Sequence, residues 1–121
     1  MWVPWPPSVN AMWRSVNGRV ILSARGRQYR TDGLAALMTQ CRNIRPMEGP
    51  LSVTLILYPP DRRRRDVDNY AKGILDLLTH AEVYGDDSQI DRLLIERGDV
   101  RPGGHVSVLV RKHVDIPLEG R

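Results

Sequence analysis

Leu51-Ser52-Val53-Thr54-Leu55-Ile56-Leu57-Tyr58 is the stretch on which the fold turns. It is apolar, partly β-branched and alternating, and Gly49-Pro50 and Pro59-Pro60 bound it, so it reads as a strand with turns at both ends. Downstream, a charged loop at 61–68 leads into a helix expected over 69–80, with Ile74, Leu77, Leu78 and Ala81 on one face. The turn Gly85-Asp86-Asp87-Ser88 then precedes two strands, Ile90–Arg97 and His105–Lys112, joined through Arg101-Pro102-Gly103-Gly104. Upstream, Leu34, Leu37, Met38, Cys41 and Ile44 recur at helical spacing and predict a helix over 24–45 with that stripe buried, Gly33 weakening its start and Pro46 ending it. Asn17-Gly18 is a two-residue turn signal, with a short strand expected at Arg19–Leu22. Residues 2–7, with three prolines, suit an edge strand or an extended arm. The expected class is mixed α/β (α+β): a small mixed sheet of about four strands with two main helices, in the order strand-helix-strand-helix-strand-strand. One domain is expected over 1–112, with a frayed tail at 113–121.

Composition narrows the function. The chain has 121 residues, 41% hydrophobic and 26% charged, which is globular and too short for a large barrel or a multidomain enzyme. Its net charge of +4 conceals an asymmetry. Residues 1–65 carry 11 arginines against Asp32, Glu48 and Asp61, a net of +8; residues 66–121 carry 7 basic and 11 acidic side chains, a net of −4. Such a chain suits a polyanion on one surface and a cation elsewhere. Of its 18 basic residues 16 are Arg, which fits bidentate phosphate recognition and equally fits a GC-rich genome. One cysteine, no zinc-spaced Cys/His cluster, no signal peptide and no apolar run of membrane length point to the cytoplasm.

Chemistry concentrates in Asp61-Arg62-Arg63-Arg64-Arg65-Asp66-Val67-Asp68-Asn69. Four arginines beside a helix start can grip phosphates, or can be a solvated loop. Asp66 and Asp68, one residue apart, point to the same side if the segment is extended, and two adjacent carboxylates repel unless a cation shares them. Asp68 also suits a helix N-cap. Asp86 and Asp87 form a second acidic pair. If strand 90–97 lies beside strand 51–58, the turn between could carry them toward Asp66 and Asp68, giving an all-oxygen site suited to Mg²⁺ or Mn²⁺. Lys72 is either an i,i+4 partner of Asp76 or a cation at the rim of that cluster. Tyr84-Gly85-Asp86-Asp87 matches a polymerase palm motif without the chain a palm needs, and residues 86–91 lack calcium-loop spacing. His80, His105 and His113 are scattered, Cys41 is expected in the core, and Trp2, Trp5 and Trp13 are expected in packing or, less simply, in base stacking.

Arg63-Arg64-Arg65-Asp66-Val67-Asp68-Asn69, then Lys72, Leu75-Asp76-Leu77-Leu78 and Asp86-Asp87-Ser88-Gln89 together resemble the RusA-type Holliday junction resolvases, often carried by prophages. Pro6-Pro7-Ser8-Val9-Asn10, residues 23–29 and a glycine-bearing final hairpin extend the resemblance to about residues 5–112. It implies a homodimer that binds four-way DNA junctions and, with Mg²⁺, places paired nicks in opposing strands, leaving 5′-phosphate and 3′-hydroxyl ends. It puts the essential carboxylates on Asp66, Asp68 and Asp87, with Asp86 beside them at the metal, and the essential lysine on Lys72. Arg62, Arg63, Arg64, Arg65, Asn10 and Arg27 are the DNA-contacting candidates. The chain departs from the family in having no Phe and in its longer arginine run. The expected activity is therefore a Mg²⁺-dependent, structure-selective endonuclease of recombination and repair, with a non-catalytic DNA-binding protein and a flap or fork nuclease as the alternatives. Paired symmetric cuts require two sites, hence a C₂ dimer.

Overall fold

The computed structural model describes residues 1–114. The elements are β1 (Trp2–Pro4), α1 (Val9–Met12), β2 (Trp13–Val16), β3 (Arg19–Leu22), α2 (Ala24–Gln40), β4 (Leu51–Tyr58), α3 (Asp68–His80), a 3₁₀ turn (Asp87–Gln89), β5 (Ile90–Arg97) and β6 (His105–Lys112). The class is the expected one, a mixed α+β fold whose four-stranded sheet runs β1-β6-β4-β5, with β2 and β3 as a separate hairpin.

β4 lies in the middle of that sheet, parallel to β5 and antiparallel to β6. Its pattern is strictly two-sided: Leu51, Val53, Leu55 and Leu57 are buried, and the residues between them are half-buried. The buried row packs with Ile74, Leu77 and Leu78 of α3 and with Leu37 of α2 in one core. The expected final hairpin does not form. β5 and β6 pair with opposite edges of β4, so residues 98–104 cross over β4's end; Gly98 N–H donates to Leu57 O and Arg101 N–H to Pro59 O.

Upstream, the turn at Asn17-Gly18 and the strand Arg19–Leu22 form as expected, and two expectations for α2 are corrected. Asn17 and Gly18 take positive φ (51° and 74°) and close the β2–β3 hairpin, whose first strand and preceding four-residue helix are too short to show periodicity. α2 ends at Gln40, not Arg45. Its buried face is Gly26, Tyr29, Gly33 and Leu37, while Met38 and Cys41 are exposed, so Cys41 is not a core residue. The glycines explain the difference. A Cβ on Gly26 would stand 2.3 Å from Met12 O, and one on Gly33 would stand 2.3 Å from Leu77 Cδ2. Helix α2 thus meets its neighbours backbone first, where a search for apolar side chains passes over the contact. Of the tail, His113 N–H donates to Pro50 O, and residues 115–121 lie outside the described residues.

Candidate active site and nucleic-acid interface

The loop between β4 and α3 is shaped by Asp61. Its Oδ1 accepts from Arg63 N–H at 2.8 Å and from Arg65 Nη1 at 2.8 Å. Those two bonds hold its carboxyl down at about 2, the Arg65 hydrogen bond being the larger cause. Arg65 is consequently an internal brace: its guanidinium also donates to the carbonyls of Asp61 and Arg63 and lies 5.6 Å from the Trp5 ring centre. Arg97 reaches across from the end of β5 to donate to Arg65 O. Arg62, Arg63 and Arg64 remain exposed, and with Arg65, Arg97, Trp5 and Tyr70 they border a cavity of about 520 Å³. The four arginines therefore divide, three facing solvent and one holding the loop.

Asp66, Asp68 and Lys72 stand where this loop enters α3. Val67 has helical φ/ψ of −61° and −35°, so the segment is not extended as expected. Asp68 lies in the first turn and makes no capping hydrogen bond. The carboxylates of Asp66 and Asp68 have no hydrogen bond or ion pair with the described residues. At a helix N-terminus the backbone dipole favours such charges, yet leaves their oxygens available. Lys72 follows Asp68 by one turn, so both share a face. It does not pair with Asp76, whose partner is Arg30 of α2 at 2.9 Å; its Nζ instead lies 5.3 Å from the Trp13 ring centre. The hairpin and α1, which carries exposed Asn10, therefore flank this end of α3. Arg27 is exposed on α2 and donates to Leu22 O at 3.0 Å.

Asp86 and Asp87 are elsewhere. β5 does lie beside β4, as the convergence required, but parallel to it, so α3 must carry the chain back along the sheet before β5 begins. Thirteen helical residues span about 20 Å. The acidic turn is fastened at the far end, where Tyr84 Oη donates to Leu75 O at 2.9 Å; burial first, with the carboxylates of Asp87, Asp76 and Asp86 adding to it, pushes that hydroxyl up to about 12. Among the described residues no three His, Cys, Asp or Glu side chains come close enough to hold a metal ion. Asp86 caps the 3₁₀ turn: its carboxylate accepts from Ser88 Oγ at 2.8 Å and from Ser88 N–H, which holds its pKa below the usual carboxylate range.

Gln89 is a residue whose role the sequence reading missed. Its Oε1 accepts from Gly85 and Asp86 N–H at 2.9 and 3.0 Å, and its Nε2 donates to Met47 O and Gly49 O at 3.0 Å each. One side chain thus closes the turn and ties it to the loop before β4. The signal was present as Asp86-x-x-Gln89, a capping-box spacing.

A family profile described as endodeoxyribonuclease RusA matches residues 4–111. A crossover junction endodeoxyribonuclease of Enterobacteria phage HK97 is 36% identical over 108 residues, covering 89% of each chain. Proteins of the same name from Escherichia coli K12 and Enterobacteria phage 82 are each 34% identical over 108 residues, again covering 89% of each chain. The chain belongs to the RusA family of endodeoxyribonucleases.

Proposed function

We propose that this chain is a structure-selective endodeoxyribonuclease that cuts four-way DNA junctions in recombination and repair, working as a homodimer with Mg²⁺, for which Mn²⁺ can substitute. The observation that carries the reading is the pair of unpartnered carboxylates, Asp66 and Asp68, at the mouth of the arginine loop. The donor set fits the ion. Mg²⁺ takes all-oxygen ligands and commonly only one or two protein carboxylates, with water and substrate phosphate completing the shell. Asp66 and Asp68 are the residues that would hold it; Asp86, with its oxygens engaged by Ser88, is the poorest of the four candidates. Bound there, the ion lowers the pKa of a water and stabilises charge on the phosphate.

The chain's own groups do the rest. Arg62, Arg63 and Arg64 hold the DNA backbone, with Asn10 and Arg27 at the flanks. Lys72, steadied over Trp13, offsets negative charge developing at the phosphorus. Asp87 stands about one α3 length from Asp68 in its own chain and joins that centre only from a second copy, which gives the dimer a chemical role beyond symmetry. No helix among the described residues is long and apolar enough to cross a membrane. The DNA substrate is met in the cytoplasm.

The test is to incubate the protein with a labelled four-way junction, a flap and a plain duplex, with and without Mg²⁺. Metal-dependent cutting of the junction alone is expected. No cutting of any substrate leaves a non-catalytic DNA-binding protein, and preference for the flap leaves a flap nuclease.

A further inference from the structure

The β2–β3 hairpin stands apart from the four-stranded sheet, and the proposed chemistry gives it no task. Its base is pinned. Trp13 and Leu22 pair across the strands and pack on the core, and just beyond them Ser23 N–H donates to Met12 O at 2.9 Å. Above that base every residue from Arg14 to Ile21 is exposed. Val20 is 72% exposed, more than any other large apolar residue among those described. Uncovered apolar side chains on a firmly based projection mark a surface that meets another molecule.

Register sorts the hairpin into two faces. Cross-strand partners share a face, and so do residues two apart along a strand. Arg14 with Ile21 and Val16 with Arg19 lie on one side; Ser15 with Val20 lies on the other, in line with Trp13 and Leu22. Arg14 and Arg19 make no hydrogen bond or ion pair between side chains of the described residues, and no acidic residue stands between Trp13 and Leu22 to offset them. On Val20's side, the Trp13 ring centre lies 5.3 Å from Lys72 Nζ. The hairpin thus rises beside the end of α3 that carries Asp68 and Lys72, the end that the arginine loop also enters. Unpaired arginines and bare apolar side chains on a two-stranded arm are complementary to DNA, where guanidinium groups take phosphates and apolar tips wedge between bases.

We infer that the β2–β3 hairpin is a DNA arm that enters the branch point, Val20 packing against bases unstacked there while Arg14 and Arg19 hold the flanking phosphates. The inference rests on the proposed function for its substrate and adds what that function lacks, a means of telling branched DNA from plain duplex. Phosphates are alike on both, so Arg62, Arg63 and Arg64 supply affinity without selectivity. An apolar tip discriminates, because bases already parted at a branch spare it the cost of unstacking them.

Metal-free binding of the full chain tests it without any cleavage. One DNA is a four-way junction with a fluorescent adenine analogue, dim when stacked, at the branch point; the other is a duplex with the analogue in mid-sequence. Wild type should brighten the junction probe and leave the duplex probe dim. Val20→Ser should lose most of that brightening and weaken junction binding by about fivefold, with duplex binding held within about twofold. Arg14→Ala and Arg19→Ala should each lower the slope of log K against log salt on the junction by about 1. All three side chains are exposed, so Tm should hold. Wild type that leaves the junction probe dim, a Val20→Ser chain that brightens and binds as wild type does, or arginine variants with an unchanged slope would each overturn the inference. So would variants that sediment as monomers where wild type is a dimer, which would assign the hairpin to contact between copies. Cutting with Mg²⁺ is scored separately. A chain that opens the branch point through Val20 without cutting removes the nuclease reading alone; a cutting enzyme indifferent to Val20 removes the hairpin's role alone.

Discussion

Replacing Gln89 with Leu probes how the acidic turn is held. Leu keeps the approximate volume and removes all four hydrogen bonds, which run between 2.9 and 3.0 Å to two N–H groups and two carbonyls. A typical bond contributes about 1 kcal/mol net. The bond to Met47 O is part-buried and the other three are exposed. Water replaces much of the exposed three, so the loss should total about 2 kcal/mol and not four times the single value. For a domain of this size that lowers Tm by about 8 °C, read by thermal or urea unfolding with an unchanged m value. Gln89→Glu separates the two halves of the network: its carboxylate still accepts from Gly85 and Asp86 but sets negative charge against the carbonyls of Met47 and Gly49. It should be at least as damaging as Leu. Junction cutting, measured well below the new Tm, should fall by about tenfold or more, because Asp87 is the first residue of the turn that Gln89 closes. A Leu variant with the wild-type midpoint would refute the reasoning.

Asp68→Asn should abolish cutting and leave junction binding intact, with stability changed by less than about 0.5 kcal/mol because Asp68 makes no capping bond; a large loss of Tm would return the residue to a structural role. Gly26→Ala gains helix propensity but drives a methyl into Met12 O, so a net loss of about 1–3 kcal/mol is expected in urea unfolding, and a rise in stability would contradict the packing. The Asp61 carboxyl is held down at about 2, so its grip on Arg63 and Arg65 should be complete above the ordinary carboxylate range and should fade only as pH falls through about 2. Carbon-detected NMR titration of that carboxyl checks this, and an ordinary midpoint would refute the clamp. Arg64→Ala should weaken junction binding and reduce the slope of log K against log salt by about 1, whereas Arg65→Ala should first loosen the loop, seen as faster amide exchange at Arg63.

Legibility in the sequence tracked the strength of its periodic signals. β4 and the apolar face of α3 were legible because eight alternating residues and a three-turn stripe each bury one whole side. The buried face of α2 was not, because Gly26 and Gly33 make contact through backbone and offer no hydrophobic signal, while Met38 and Cys41 fall at helical spacing on the outer side. α1 and β2, four residues each, are shorter than any period that could reveal them. In the site, residue type and spacing singled out Asp66, Asp68 and Lys72, and the structure places them together where the loop enters α3. That Arg65 braces its own loop was not, since nothing in a run of identical residues marks which one turns inward.

The separation of the two acidic pairs comes from connectivity alone. A helix that joins parallel neighbours must return along the sheet, so the segments before and after it lie at opposite ends. Asp66 and Asp68 enter α3 and Asp86 and Asp87 come after it, hence no folding of this topology brings all four together in one chain. A second copy related by a twofold axis would reverse the ends. In the proposed homodimer the acidic turn of one copy would complete the site at the other's arginine loop, and the asymmetry of charge along the sequence would become a pair of equivalent sites. Holding the chain monomeric should then remove cutting at protein concentrations where junction binding by the monomer persists. A monomeric variant that still cuts would show instead that Asp66, Asp68 and Lys72 suffice.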